Sequence, residues 1–129
     1  MALTFNKFDC FVENLAEKVF NLGTDVLKAA LVNSSTLSNT FSQLSHITEI
    51  AAGNGYTAGG TAASISSSSQ TSGTYKLVLA DVVFTASGGS IGPFRYAVLY
   101  NDTATNDELI GWWDYGSNLT LSAGDALTV

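Results

Sequence analysis

The sequence predicts a mainly β fold, an antiparallel β-sandwich entered through one N-terminal α-helix. Three observations carry that prediction. From His46 onward, short apolar runs alternate with Gly, Ser, Asn and Asp at intervals of about ten residues, the texture of sandwiches and barrels. The opening segment instead carries apolar residues at helical spacing. Finally, 129 residues with 46% hydrophobic content suffice for one substantial core, so residues 1–129 read as a single domain.

The helix is expected over about residues 7–22. Phe8, Phe11, Leu15, Val19 and Leu22 recur at spacings of three and four as one apolar stripe, opposite Glu13, Asn14, Glu17 and Asn21. Asn6 is the candidate cap, Asp9 stands in the place of a capping-box acid, and Gly23 offers a C-terminal stop. Such a stripe packs a helix on its own domain or, alternatively, reserves it for a partner. TDVLKAALVNS, from Thr24, fits a continued helix or a strand. The break at Gly23 and the polar run NSSTLSNTFS behind it favour a separate, short, buried strand.

Further strands are expected near His46–Ala51, Thr61–Ser66, Thr74–Leu79, Asp81–Ala86, Pro93–Asn101, Glu108–Tyr115, Leu119–Ser122 and Ala126–Val129. SGGSIGP (Ser87–Pro93) and NDTATND (Asn101–Asp107) read as loops, and YGSN (Tyr115–Asn118) and SAGD (Ser122–Asp125) as tight turns. Pro93, the only proline, sits at a strand start, where its missing N–H costs least. The Ser-rich stretch at about 57–73 is expected to be a flexible connection, because Ile65 is its only large apolar residue and little burial offsets its ordering entropy.

FRYAVLY puts Phe94, Tyr96, Val98 and Tyr100 on one face and Arg95, Ala97 and Leu99 on the other. ELIGWWDY likewise divides into Leu109, Gly111, Trp113 and Tyr115 against Glu108, Ile110, Trp112 and Asp114, and KLVLADVVF is apolar on both faces. A one-sided solvated sheet alternates more cleanly. Either the helix and loops cover the second face or another protein does, and a single helix against several strands tilts the expectation toward a partner.

Charge narrows the partners. A net charge of −6 disfavours nucleic acid and anionic membrane surfaces. No apolar run approaches a membrane span, and MALTFNKFD lacks the basic and apolar regions of a secretory leader, so none is expected. The sequons at Asn33, Asn101 and Asn118 are then expected to stay unmodified. Cys10, the only cysteine, reads as a small buried hydrophobe with no partner for a disulfide or metal.

AAGNGYTAGGTA, Ala51–Ala62, is the stretch most like a phosphate loop. Its third glycine falls one position late for G-x-G-x-x-G (Gly53, Gly55, then Gly59 and Gly60), and no lysine lies between Lys28 and Lys76 to complete a Walker loop. The adjoining TAASISSSSQTSG is a poor helix former, so no helix N-terminus meets a phosphate. Asn54-Gly55 fits a tight turn with positive φ instead, and no cofactor is expected.

No catalytic site is expected either. His46 is the only histidine, and no G-x-S-x-G elbow accompanies it, so it is expected unengaged at a strand edge. Asp107, Glu108 and Asp114 flank Trp112 and Trp113, as acids flank a sugar-stacking aromatic in glycosidases. Asp107 and Glu108 are neighbours, however, and on a strand would point to opposite faces. Asn101, Asp102, Thr103 and Asp107 could gather oxygens around calcium, without the spacing of a calcium hand. The expected sites are therefore none: no catalytic, cofactor-binding or metal residues.

The phrases FDCFVENLAEKVFNLG, HITEIAAGNGYTAGG, YKLVLADVVFTASGGSIGPFRYAVLYND and ELIGWWDYG together resemble small structural proteins of tailed bacteriophages, of the kind that decorate or cement capsids. The resemblance spans almost the whole chain except the Ser-rich stretch. It implies a jelly-roll-like sandwich and a non-enzymatic role. The protein would bind the outside of a phage head, made in the host cytoplasm, as a homo-oligomer (a dimer or trimer) bridging subunits of the major capsid protein. It also implies a further turn and strand after Thr128-Val129, which leaves the pairing of the last strand open. The alternatives are a tail or fibre component, or a carbohydrate-binding sandwich that stacks sugars on Trp112, Trp113 and Tyr115.

Overall fold

A computed structural model describes residues 4–33 and 37–129. The start of MALTFNKFD and part of NSSTLSNTFS, including the end of the Asn33 sequon, lie outside the described residues. The fold is mainly β with one short helix and antiparallel sheets, as the sequence predicts. Its elements are β1 (Phe5–Lys7), α1 (Cys10–Ala16), β2 (Leu27–Val32), a single 3-10 turn at Leu44–His46, β3 (Thr61–Ala63), β4 (Ile65–Thr71), β5 (Thr74–Leu79), β6 (Val83–Thr85), β7 (Ile91–Asn101), β8 (Leu109–Leu121) and β9 (Ala126–Thr128).

The long ribbon of β7 and β8 is the centre of a five-stranded sheet ordered β1-β8-β7-β2-β3. In its register Ala97 stands opposite both Leu31 and Trp113, and Val98 opposite Ala30 and Trp112. The pleat therefore sends Leu27, Ala29, Leu31, Ala97, Leu99 and Trp113 to one face and Ala30, Val32, Tyr96, Val98, Tyr100 and Trp112 to the other. Two separate two-stranded ribbons, β4–β5 and β6–β9, complete the strands. Phe84, Val82 and Tyr56 pack on the first face, joined near Leu27 and Leu99 by Phe20, Leu22, Leu77 and Leu79. Strand order alone does not carry the finer jelly-roll topology.

Residues of the chain itself pack on the second face, the first of the two covers that the sequence reading allowed. Phe8, Cys10, Leu37, Phe41, Leu44 and Ile47 pack there against Val32, Val98 and Tyr100. Two of these, Leu37 and Phe41, come from the polar run NSSTLSNTFS, where apolar residues stand isolated between Ser, Thr and Asn, and Ile47 comes from the expected strand at His46–Ala51. Apart from the 3-10 turn that Leu44 begins, they pack without any regular element to make a period.

The helix is shorter than residues 7–22. It occupies only Cys10–Ala16, and Phe5–Lys7 pairs with β8 instead. Asn6 is therefore not the cap. Asp9 holds that place without a capping hydrogen bond, its carboxylate accepting instead from Asn39 Nδ2 at 3.0 Å. After the helix Lys18 turns to φ 64°, and the amides of Val19 and Phe20 both donate to the Asn14 carbonyl. The supposed single stripe is thereby split. Phe8 joins the second-face core, Leu22 the first-face core, and Leu15 and Val19 stay 39% exposed. Strand pairing and packing at the sheet edge override a helical period that extends over only a few turns.

Strand β5 and the start of β9 fall where expected, β7 begins two residues early, and β6 is shorter. Three expectations fail. His46–Ala51 is not a regular strand; only Glu49 bridges Val32, with the Ile50 amide on the Leu31 carbonyl. Leu109–Leu121 is one strand, so YGSN is no hairpin turn. The register jumps there from Tyr96↔Asp114 to Phe94↔Leu119, a wide bulge at Tyr115–Asn118. The Ser-rich stretch is not an irregular connection, since β3 and β4 both lie within it and β4 pairs with β5 from Ile65↔Leu79 to Thr71↔Thr74.

Candidate functional site

An apolar cleft of about 430 Å³ lies on the first face of the five-stranded sheet. Its floor is Ala29, Leu99, Ile110 and Trp113, and β5 leans over it with Tyr75, Leu77 and Leu79. Phe5 and Phe11 close one part of the rim, and Ala63, Ala80, Val82 and Val129 another. Alternation explains the roof: residues 75, 77 and 79 share one face of β5. The mouth is partly open, with Phe5 39% and Tyr75 48% exposed. Tyr75 shares a hydrogen bond of 2.7 Å with Ser68, which ties the rim to β4. Phe5 rests against Trp113 with ring centroids 4.8 Å apart. Apart from the Tyr75 hydroxyl the lining carries no ionisable group, so the cleft can bury apolar groups but offers nothing to move a proton.

Of the residues weighed from the sequence as catalytic, metal or sugar-stacking candidates, only Trp113 lines it; Phe11 and Leu22 of the apolar stripe and Leu99 and Ile110 of the two-faced strands also do. Asn54 and Gly55 form the expected tight turn, with φ of 57° and 98° and reciprocal backbone hydrogen bonds between Gly53 and Tyr56. Asn54 Nδ2 donates to the Ser90 carbonyl, and the Asn54 carbonyl accepts from the Ser87 amide. Sequence reasoning missed the reason for this turn, which is Tyr56. Its ring is buried against Phe84. Its hydroxyl accepts from the Leu31 amide at 3.0 Å and donates to Glu49 Oε1 at 2.8 Å. The same Glu49 oxygen accepts from the Gly59 amide at 2.6 Å. Burial foremost pushes the Tyr56 hydroxyl far above its ordinary range, with Glu49 adding to the rise. The glycines thus bend the chain around a buried hydrogen-bonded tyrosine, and a Cβ at Gly60 would collide with the Ala29 carbonyl.

His46 is not at a strand edge and not unengaged. It ends the 3-10 turn, where Nδ1 accepts from the Ser42 amide at 3.2 Å and the ring lies near Phe41. Cys10 is half-buried, its thiol 3.5 Å from the Leu109 carbonyl, and burial pushes its pKa up.

The carboxylates are engaged separately. Glu108 accepts from the Asn106 amide and side chain. Asp114 accepts from Arg95 Nε at 2.9 Å and from the Gly116 amide at 2.8 Å across the bulge, and the Arg95 hydrogen bond foremost holds its carboxyl below the ordinary range. Six residues of strand separate Glu108 from Asp114, roughly 20 Å, well beyond the roughly 5–9.5 Å of a glycosidase pair. Asp107 is pushed up by burial, then by Asp102 and Glu108.

In the NDTATND loop the side chains serve the loop itself. Asn101, fully buried, accepts from the Thr103 and Ala104 amides and donates to Asp25 Oδ2 at 2.7 Å. Asp102 pairs with Lys28 at 3.2 Å, and Thr103 Oγ1 accepts from the Val26 amide. No group of three or more His, Cys, Asp or Glu gathers as a metal set among the described residues.

Trp112 and Trp113 lie on opposite faces, Trp112 packed 4.5 Å from Phe8, so they form no shared stacking platform. No helix among the described residues is long and apolar enough to cross a membrane. No family model matches this chain, and neither a curated protein nor a solved structure matches it.

Proposed function

We propose that this is a non-enzymatic virion structural protein, a decoration or cement protein that binds the outside of a tailed-phage head as a homo-oligomer of two or three copies and bridges subunits of the major capsid protein. The observation that carries the reading is the apolar cleft with its half-exposed aromatic mouth, a surface suited to bury against protein. The sequence phrases that resemble phage decoration proteins supply the kind of partner. The mechanism is burial of apolar surface across subunit joints, repeated over many copies so that modest contacts add up. Specific contacts bury about 1,200–2,000 Å², and the net charge of −6 suits a position away from packaged nucleic acid.

Purified protein added to heads that lack it is expected to co-sediment with them and raise their resistance to rupture. Because the contact is mainly apolar, binding is expected to weaken little between low and moderate salt. A protein that never associates with heads, or one whose binding falls steeply with salt, overturns this reading.

A further inference from the structure

The second layer of the sandwich is made of two ribbons that do not hydrogen-bond to each other, and among the described residues no strand pairs with β5 on the side away from β4. β5 turns Tyr75, Leu77 and Leu79 into the apolar cleft and β4 supplies nothing, so the cleft lies under one face of a strand whose edge away from β4 is unpaired. We propose that the cleft and the free edge of β5 form one docking groove for an extended apolar peptide segment, which adds as a strand beside β5 and sends alternate side chains into the cleft. The inference rests on the proposed function, which makes that segment part of a shell subunit.

Three features select an extended peptide. A free edge presents a row of unpaired N–H and C=O groups, a template for main-chain pairing beside pockets for alternate side chains. A small polar ligand would be oriented by several placed polar side chains, and here the lining offers only the Tyr75 hydroxyl, already bonded to Ser68, and the Trp113 indole N–H. Charge agrees as well, since the lining has no charged side chain in a chain of net charge −6, and the inward residues of the segment must be uncharged. β5 also protects its edge weakly, with Lys76 its only charge and no proline.

The test uses the full chain on heads. A photo-reactive p-benzoylphenylalanine placed at Tyr75, or in a second variant at Phe5, is compared with the same group at Val83, which is 51% exposed and outside the cleft lining. Both residues are partly exposed at the mouth, so the variants should fold, and circular dichroism checks that they do. Cross-links to the shell subunit are expected from the Tyr75 and Phe5 positions at least about tenfold above Val83. Alternate amides of Tyr75–Leu79, those facing away from β4, are expected to exchange about tenfold more slowly on heads than in the free protein.

Co-sedimentation with cross-links only from Val83, or with β5 exchange unchanged, overturns the groove and leaves the cement reading standing. Cross-links between two copies of this chain at Tyr75 would make the occupant a second copy and overturn the shell segment. Slowed exchange of free protein with 1-anilinonaphthalene-8-sulfonate, without slowing on heads, would make the cleft a small-molecule site and overturn it too. No co-sedimentation ends the function and the inference together.

Discussion

The β7–β8 ribbon and the β4–β5 ribbon are both antiparallel pairs in one small protein, and opposite things hold them. In β7, eight of eleven residues are buried, and the strand has a neighbour on each side. In β4 none of the seven residues is buried, and a single neighbour pairs with it. Burial fixes the first ribbon, because a one-residue slip would turn Val98 and Tyr100 away from their core. The second is fixed by backbone pairing and by the underside of β5. Its four consecutive serines bring almost no apolar area of their own. A strand in this protein is therefore specified either by what it buries or by what it pairs with, and only the first leaves a clear mark in the sequence.

The sharpest way to break the comparison is to remove a large side chain from each ribbon. Phe94 in β7 is fully buried, with its ring edge-on to Tyr115 at 6.0 Å. Phe94→Ala is expected to cost about 3–5 kcal/mol, lowering the urea midpoint at unchanged slope. Tyr75→Ala in β5, half-exposed, is expected to cost less than half as much. Equal losses would mean that the hairpin belongs to the same cooperative core.

That difference explains how much of the fold was legible. The ends of β5, the placing of β7 and the NG turn at Asn54-Gly55 each obey a local rule, a period of two or a turn chemistry, and all are present. The bulge at Tyr115–Asn118 was unreadable, since Gly and Asn punctuate a bulge as readily as a hairpin turn, and only the register across to Phe94 tells them apart. The strand at Ile65–Thr71 was unreadable because its partner, not its own side chains, makes it a strand. At the candidate site Trp113 was singled out, but for sugar stacking. Periodicity connects Phe11 with Leu22 and Tyr75 with Leu77 and Leu79, but no spacing brings these groups together with Phe5, Ala29, Leu99 or Val129 in one cleft.

Tyr56 joins the two faces of this comparison. It lies in a glycine-rich loop, as exposed in sequence texture as β4, yet it is 3% exposed and anchored through its hydroxyl to β2. Tyr56→Phe keeps the ring and removes the hydroxyl, leaving the Leu31 amide and the Glu49 carboxylate each short of a partner. The expected loss is about 1–3 kcal/mol, the cost of stranding buried polar groups. A loss near zero would mean that water replaces the hydroxyl and that packing of the ring alone sets the loop.

The bulge in β8 gives a smaller, pH-dependent effect. Asp114 has its pKa lowered in the folded protein, chiefly by Arg95 and then by the Gly116 amide. Its contribution is thus fully present above the ordinary carboxylate range near 3.9, and it fades as pH falls through the lower folded value. Asp114→Asn should therefore reduce stability slightly at neutral pH and shrink its difference from the parent in acid. Both side chains are about one-third exposed, so screening keeps the effect small. A difference that grows below pH ~4 would reverse the sign and remove Asp114 from the account.

The smallest effect is expected in β4 itself, and it sharpens the comparison most directly. Ser69 lies opposite Lys76 and is exposed. Ser69→Ala removes a hydroxyl that water satisfies equally well in the folded and unfolded chain, so the equilibrium change should stay within about 0.5 kcal/mol. What should differ from the core is local opening. A two-stranded ribbon is marginal by itself, and the amides of β4 and β5 need only that ribbon to separate in order to exchange. They are expected to exchange through local opening, at rates nearly independent of Phe94→Ala, whereas amides of β7 and β8 exchange only when the whole core opens and should speed up with it. Hydrogen exchange on the parent and Phe94→Ala reads both classes in one experiment. If the β4 amides accelerate in step with those of β7, the hairpin shares the global unfolding event, and its serines are held by the core after all.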